Sequence, residues 1–154
     1  MRPEEFRVYK SLAEEMVRYI KDPDNGGVVL AAPQIGTNKR IIAVSLMRDY
    51  DDENFRTIAM INPEILEHSQ DVEIDNEGCL SVPGEHGDVE RFFSIKVRYS
   101  DINGREQSFV FRGLSARIIQ HEIDHLDGVL FTDRIIETLP QSAGRMPENI
   151  HNSL

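Results

Sequence analysis

The chain has 154 residues, enough for one ordinary hydrophobic core and too few for two large ones. Apolar residues make up 40% and charged residues 29%, a globular balance with no apolar run near membrane-spanning length and no charged-then-apolar leader at its start. Net charge is −10, from 17 basic and 27 acidic residues, which opposes direct DNA binding; the single cysteine excludes an internal disulfide and makes the cytosol the default compartment.

Pro3, Glu4 and Glu5 open a helix, with the acids near the positive end of its dipole. Phe6, Tyr9, Leu12, Met16 and Ile20 then recur every three or four residues, which predicts an amphipathic helix over 4–21 with a core-packing stripe. Asp22 to Gly27 ends it in a turn. Over 27–36, Val28-Val29-Leu30 gives way to Ala31, Ala32, Pro33 and Gln34. That reads either as a plain strand and turn, or as a small-residue strand that a ligand approaches closely, with Gln34 as a donor. Strands are predicted over 40–46 and over 57–61, the latter closed by Asn62-Pro63, with an acidic loop over 49–54 between them. Alternation over 70–75 reads as a half-exposed strand that leads to a tight loop, Glu77-Gly78-Cys79-Leu80-Ser81-Val82-Pro83. Ile95 to Tyr99 and Gln107 to Phe111, joined through Asn103-Gly104, form a hairpin. A second helix is placed at 114–126, stopped by Gly128; a short strand is expected at 129–131 and a loose tail from 138.

That second helix holds Gln120-His121-Glu122-Ile123-Asp124-His125-Leu126-Asp127-Gly128. Residues four apart lie one turn above each other, so His121 and His125 can aim two imidazoles at one point. Glu122 lies about 100° round, near a water on a shared metal but not competing as a ligand. The plain alternative is an amphipathic helix that happens to carry two histidines. Cys79 is a candidate third ligand, against the ordinary reading of a buried structural cysteine. A Cys/His/His set leaves one tetrahedral position for water, the mark of a catalytic site. Glu122 then serves as base, and Gln34 with a backbone N–H near Cys79 can stabilise a developing oxyanion.

Three segments together resemble the peptide deformylase family: 27–34, comparable to G-x-G-L-A-A-P-Q; 77–81, E-G-C-L-S; and 120–128, Q-H-E-x-D-H-L-x-G. The last two match fully, and the resemblance covers 4–136. It implies an α+β fold with antiparallel sheets packed around the metal-binding helix. It also implies removal of the formyl group from N-formylmethionyl nascent chains in the cytoplasm, or in an organelle if a transit peptide has been removed, with a ribosome contact as a further expectation. One divalent ion is implied, Fe(II) by preference, replaceable by zinc, nickel or cobalt. Carried over by position, Cys79, His121 and His125 bind metal and Glu122 is the acid/base. The Gln34 amide and Leu80 N–H hold the formyl oxygen, and the backbones of Val28 and Gly78 pair with substrate as an added strand. Leu114 and Ile118 line the methionine pocket, Glu77 supports the site as an outer carboxylate, and Arg91 stands at its salt-bridge position.

Val29 departs from the family's glycine. Turned away from the cleft it packs harmlessly into the core; turned inward it narrows the entrance, and a modest kinetic penalty is expected. Only 26 residues precede Gly27, so the family's usual strand ahead of the first helix is not in this sequence. Two other readings stand beside an active deformylase: a deformylase-like protein that binds peptides without turnover, and a zinc peptidase built on H-E-x-x-H.

Overall fold

The structure is a computed structural model that describes residues 2–25, 28–49, 52, 55–78, 86–129 and 131–136. Helix α1 (Pro3–Lys21) starts with Pro3 at its first positions, with Glu4 and Glu5 in the first turn and Arg18 and Lys21 in the last. Proline costs no hydrogen bond there, and both sets of charges complement the dipole.

Seven strands follow: β1 (Val29–Ala31), β2 (Ile41–Leu46), β3 (Arg56–His68), β4 (Val72–Gly78), β5 (His86–Phe92), β6 (Ser94–Ser100) and β7 (Glu106–Arg112). They build a five-stranded antiparallel sheet of order β1-β2-β3-β6-β7 and a separate β4-β5 pair. Helix α2 (Gly113–Leu126) leaves the end of β7 directly. This is the expected α+β architecture, with an N-terminal amphipathic helix.

The period-2 pattern of the strands sorts the core into two layers. Val29, Ala31, Ile42, Val44, Met60, Ile95 and Val97 pack with Ala116, Ile118, Ile119 and Ile123 of α2. Ile41, Ala43, Ala59 and Ile61 point the other way, onto Ala13, Met16 and Ile20 of α1. The sheet is therefore covered by a helix on each face. Residues 116–124 of α2 are buried without interruption, polar ones included. An amphipathic surface helix buries one stripe; a helix buried all round lies at the centre of the molecule. Val29 is only 9% exposed and belongs to the layer beneath α2.

Three local expectations change. β3 does not close at Asn62-Pro63 but runs on to His68, because the pairing with β6 shifts register between Ile61 and Glu64. A bulge is where a strand tolerates a residue without an N–H, and Asn62, at φ 52, is a residue type that tolerates the left-handed region. β5 was not anticipated: within His86–Phe92 the polar and charged Asp88, Glu90 and Arg91 interrupt the apolar signal. The short strand expected at 129–131 is instead a 3₁₀ turn, Phe131–Arg134, followed by a single bridge between Ile135 and Val89. The tail expected from 138 lies outside the described residues.

Candidate active site

The central helix carries the site. His121 and Glu122 are 1% and 0% exposed. The rings of His121 and His125 stand 4.9 Å apart at 62°, one helical turn from each other. One donor atom from each of His121, Glu122 and His125 lies within 4.8 Å of the others. Burial, helped by His121, holds the His125 imidazole down to about 4, so it is neutral at pH 7.

Glu77, at the end of β4, fixes the ring of His121. Its Oε1 lies 2.9 Å from His121 Nδ1. A carboxylate only accepts, so Nδ1 donates to it, the carboxylate–imidazole pairing that metal-binding histidines favour. Burial alone would raise the Glu77 pKa; the hydrogen bonds from His121 and Arg91 outweigh it and hold the carboxylate at about 2. Arg91 clasps Glu77 through Nε (3.0 Å) and Nη2 (2.9 Å), and donates from Nη1 to Asp124 Oδ2 at 2.6 Å. Arg117 Nη1 makes a short contact with Glu77 Oε2 and also donates to the Val89 carbonyl (3.1 Å), while Nη2 donates to that of Glu73 (2.7 Å). Arg134, from the 3₁₀ turn, holds Asp124 through Nε and Nη2. Two carboxylates and three guanidiniums thus tie β4, β5, α2 and the segment after it around the histidines. Removing one member leaves an opposite charge buried without its match.

The sequence placed Glu77 and Arg91 together but missed Arg117, Asp124, Arg134 and Gln120. Arg117 stands four residues before His121, on the same helix face, and that spacing could have marked it. Gln120 bonds the backbone of Phe92 as a strand would: its Oε1 accepts from Phe92 N–H (3.0 Å) and its Nε2 donates to Phe92 C=O (2.8 Å). Asp124 C=O accepts from Val129 N–H (2.8 Å) and His125 C=O from Gly128 N–H (3.1 Å), with Gly128 at φ 77. This left-handed stop satisfies the last carbonyls and holds the turn bearing His125.

Glu122 differs from Glu77. Burial pushes its carboxyl up to about 8, against the pull of Arg91. Neither of its oxygens has a hydrogen-bond partner among the described residues. Gln34, in the 3₁₀ turn Ala32–Ile35, accepts from Ala31 N–H at 2.7 Å through Oε1. A backbone N–H cannot accept, so the amide oxygen takes this bond and the NH₂ is the donor end of the side chain. Gly78 is buried and pairs with His86, Val28 and Leu114 are half-buried, and Ile118 of α2 is fully buried in the core between that helix and the sheet. Cys79 and Leu80 lie outside the described residues; β4 ends one residue before Cys79.

Two imidazoles one helical turn apart, one oriented by a carboxylate, beside a buried carboxyl with no hydrogen-bond partner among the described residues form a donor set that fits a borderline divalent cation. Fold and cluster together define a class: α+β proteins with a metal-capable helix at their centre. The chain belongs to the polypeptide deformylase family, whose family model matches residues 3–141. Peptide deformylase 2 of Gloeobacter violaceus is 48% identical over 128 residues, 82% of this chain. The peptide deformylase of Dictyoglomus thermophilum is 47% identical over 83% of this chain and 77% of its own length. The crystal structure of the Acinetobacter baumannii class I type b enzyme with Met-Ala-Ser bound superposes with a TM-score of 0.72 at 42% identity, covering 83% of this chain and 80% of that one. The Thermotoga maritima peptide deformylase gives 0.72 at 39% identity over 85% of this chain and 83% of its own. The chain spans 65% of the length of the Gloeobacter and Synechocystis proteins it matches.

Proposed function

We propose that this chain, acting as one catalytic domain, hydrolyses the N-formyl group from formylmethionyl peptides in the cytoplasm, where nascent chains and a ribosome contact would supply its substrate. The observation that carries the reading is the Glu77–His121 hydrogen bond, 2.9 Å, in a family member. It joins the end of β4, which opens E-G-C-L-S, to the H-E-x-x-H helix, and Cys79 follows Glu77 by two residues in the sequence.

His121, His125 and Cys79 would hold one divalent ion, Fe(II) by preference with zinc, nickel or cobalt as substitutes. A bound ion of this kind supplies Lewis acidity, polarising a carbonyl and lowering the pKa of water. The chain's residues do the rest. Glu122 takes the proton of the attacking water and returns it to the leaving amine; a carboxyl tuned to near neutrality can do both. The Gln34 NH₂ and the Leu80 N–H donate to the formyl oxygen as it becomes anionic. The backbones of Val28 and Gly78 flank the peptide like neighbouring strands. Leu114 gives the methionine side chain a half-buried apolar wall, backed by Ile118. A neighbouring structure with Met-Ala-Ser bound supports a short peptide as the occupant.

The test is formate release from formyl-Met-Ala-Ser by protein prepared without oxygen and loaded with iron. Turnover of the formylated peptide and none of Met-Ala-Ser is the expected result. Metal uptake with peptide binding but no formate would replace this reading with a binding protein. Cleavage of unformylated peptides would replace it with a peptidase.

A further inference from the structure

The five-stranded sheet has two edges, and they differ. β1 is three residues long, one ordinary way of blunting an edge. β7 pairs with β6 through all seven residues, Ser94↔Arg112 to Ser100↔Glu106, without a register shift. Among the described residues it has no strand on its other side. The devices that usually protect such an edge are missing: it has no proline, no bulge and no lysine. Large apolar side chains stand out instead, with Phe109 51% and Val110 48% exposed on opposite faces. Phe109 lies 6.5 Å from both Tyr99 and Phe111, ring to ring, so an aromatic row runs up to the edge.

The strand reads Glu106-Gln107-Ser108-Phe109-Val110-Phe111-Arg112. Laid antiparallel on a copy of itself and centred on Phe109, it is self-complementary. Glu106 faces the second copy's Arg112 at one end, and the symmetric pair closes the other. Ser108 faces Val110, Gln107 faces Phe111, and Phe109 meets its own mate. Both charges are exposed, and no charged residue lies between them. A register slipped by two residues loses both cross-strand charge pairs and leaves Glu106 only its own chain's Arg98, 3.6 Å away. A parallel arrangement sets like charges opposite each other, which is unfavourable. We propose that β7 is the docking edge for a second copy of this chain, joining two five-stranded sheets into one across a two-fold axis at Phe109. The occupant is a copy of this chain because the strand is complementary to itself in length and in the order of its end charges.

A seven-residue edge is about 24 Å long, so the contact is small and the dimer weak. The test is sedimentation velocity at low salt from about 1 to about 500 µM, the range a weak interface demands. Mass should rise from 17.6 kDa toward twice that value. Glu106→Lys and Arg112→Glu should each weaken association at least about tenfold, since each turns two attractive pairs into repulsive ones. The double variant Glu106→Lys/Arg112→Glu restores both pairs and should return to within about threefold of the native chain. Phe109→Lys sets two ammonium groups face to face and should abolish association. Circular dichroism checks that each variant folds, and Phe109→Lys stands in for any charge variant that does not. Monomer at every concentration, association untouched by the single reversals, or a folded double variant that fails to recover would each overturn the proposal.

Discussion

Glu77→Gln keeps the shape of the side chain and removes its charge. In the native protein that charge is 1% exposed and accepts from Arg91, Arg117 and His121. Two routes give the size of the loss. Holding the carboxylate at about 2 rather than 4.5 corresponds to about 3 kcal/mol of stability at neutral pH. Breaking a buried ion pair by removing one member typically costs about 3–5 kcal/mol. Arg91 retains Asp124 and Arg117 retains two carbonyls, which places the expected loss near the lower figure. The sign in acid follows from the depressed pKa: the contribution is complete above about 4.5 and fades as pH falls toward about 2. Urea unfolding of both proteins should show a gap of about 3 kcal/mol, constant from pH 7 to pH 5 and narrowing below that. Metal affinity should fall about 10–100-fold, because His121 loses the anion that fixes its ring. A gap under about 1 kcal/mol at pH 7, or one that acid does not change, would refute the reasoning, since either means the buried charge is not what holds these elements together.

Glu122→Gln should keep its metal and lose turnover about 10²–10⁴-fold; near-native kcat in a formate-release assay would remove Glu122 as the base. Cys79→Ser replaces a soft thiolate with a poorly ionised hydroxyl, so metal content after dialysis should collapse along with activity, and full retention of both would take Cys79 out of the site. Iron-loaded protein should lose activity in air faster than the nickel or zinc forms, because Fe(II) beside a thiolate promotes oxidation of both; equal lifetimes would count against that route. Val29→Gly removes a core side chain and loosens a strand, so it should cost about 2–4 kcal/mol in unfolding, and a large rise in kcat/KM with unchanged stability would show that Val29 had been blocking the cleft.

Glu122 and the two histidines could be named from spacing alone. Helical geometry is local: a four-residue interval puts His121 above His125 whatever surrounds them. The same holds for α1, the β6–β7 hairpin and the glycine stop at Gly128, whose signals lie within a few residues of the features they set. Glu77 and Arg91 were placed as a pair only through the family's pattern. What α2 meets is not local. That residues 116–124 are buried on every side follows from helix and strands closing around it, and no periodicity in the helix itself announces it. The same closure gives two neighbouring acids opposite characters. Glu77 sits among guanidiniums and is held at about 2, while Glu122, as deeply buried but with no hydrogen-bonded cation among the described residues, is lifted to about 8. A carboxyl's charge depends on which long-range neighbours desolvate or pair it, and Arg91, Arg117 and Arg134 arrive from three separate stretches of chain. The chain order supplied the candidate ligands and the candidate base; the packing of β4 and β5 against α2 decided which acid carries charge and which can carry a proton.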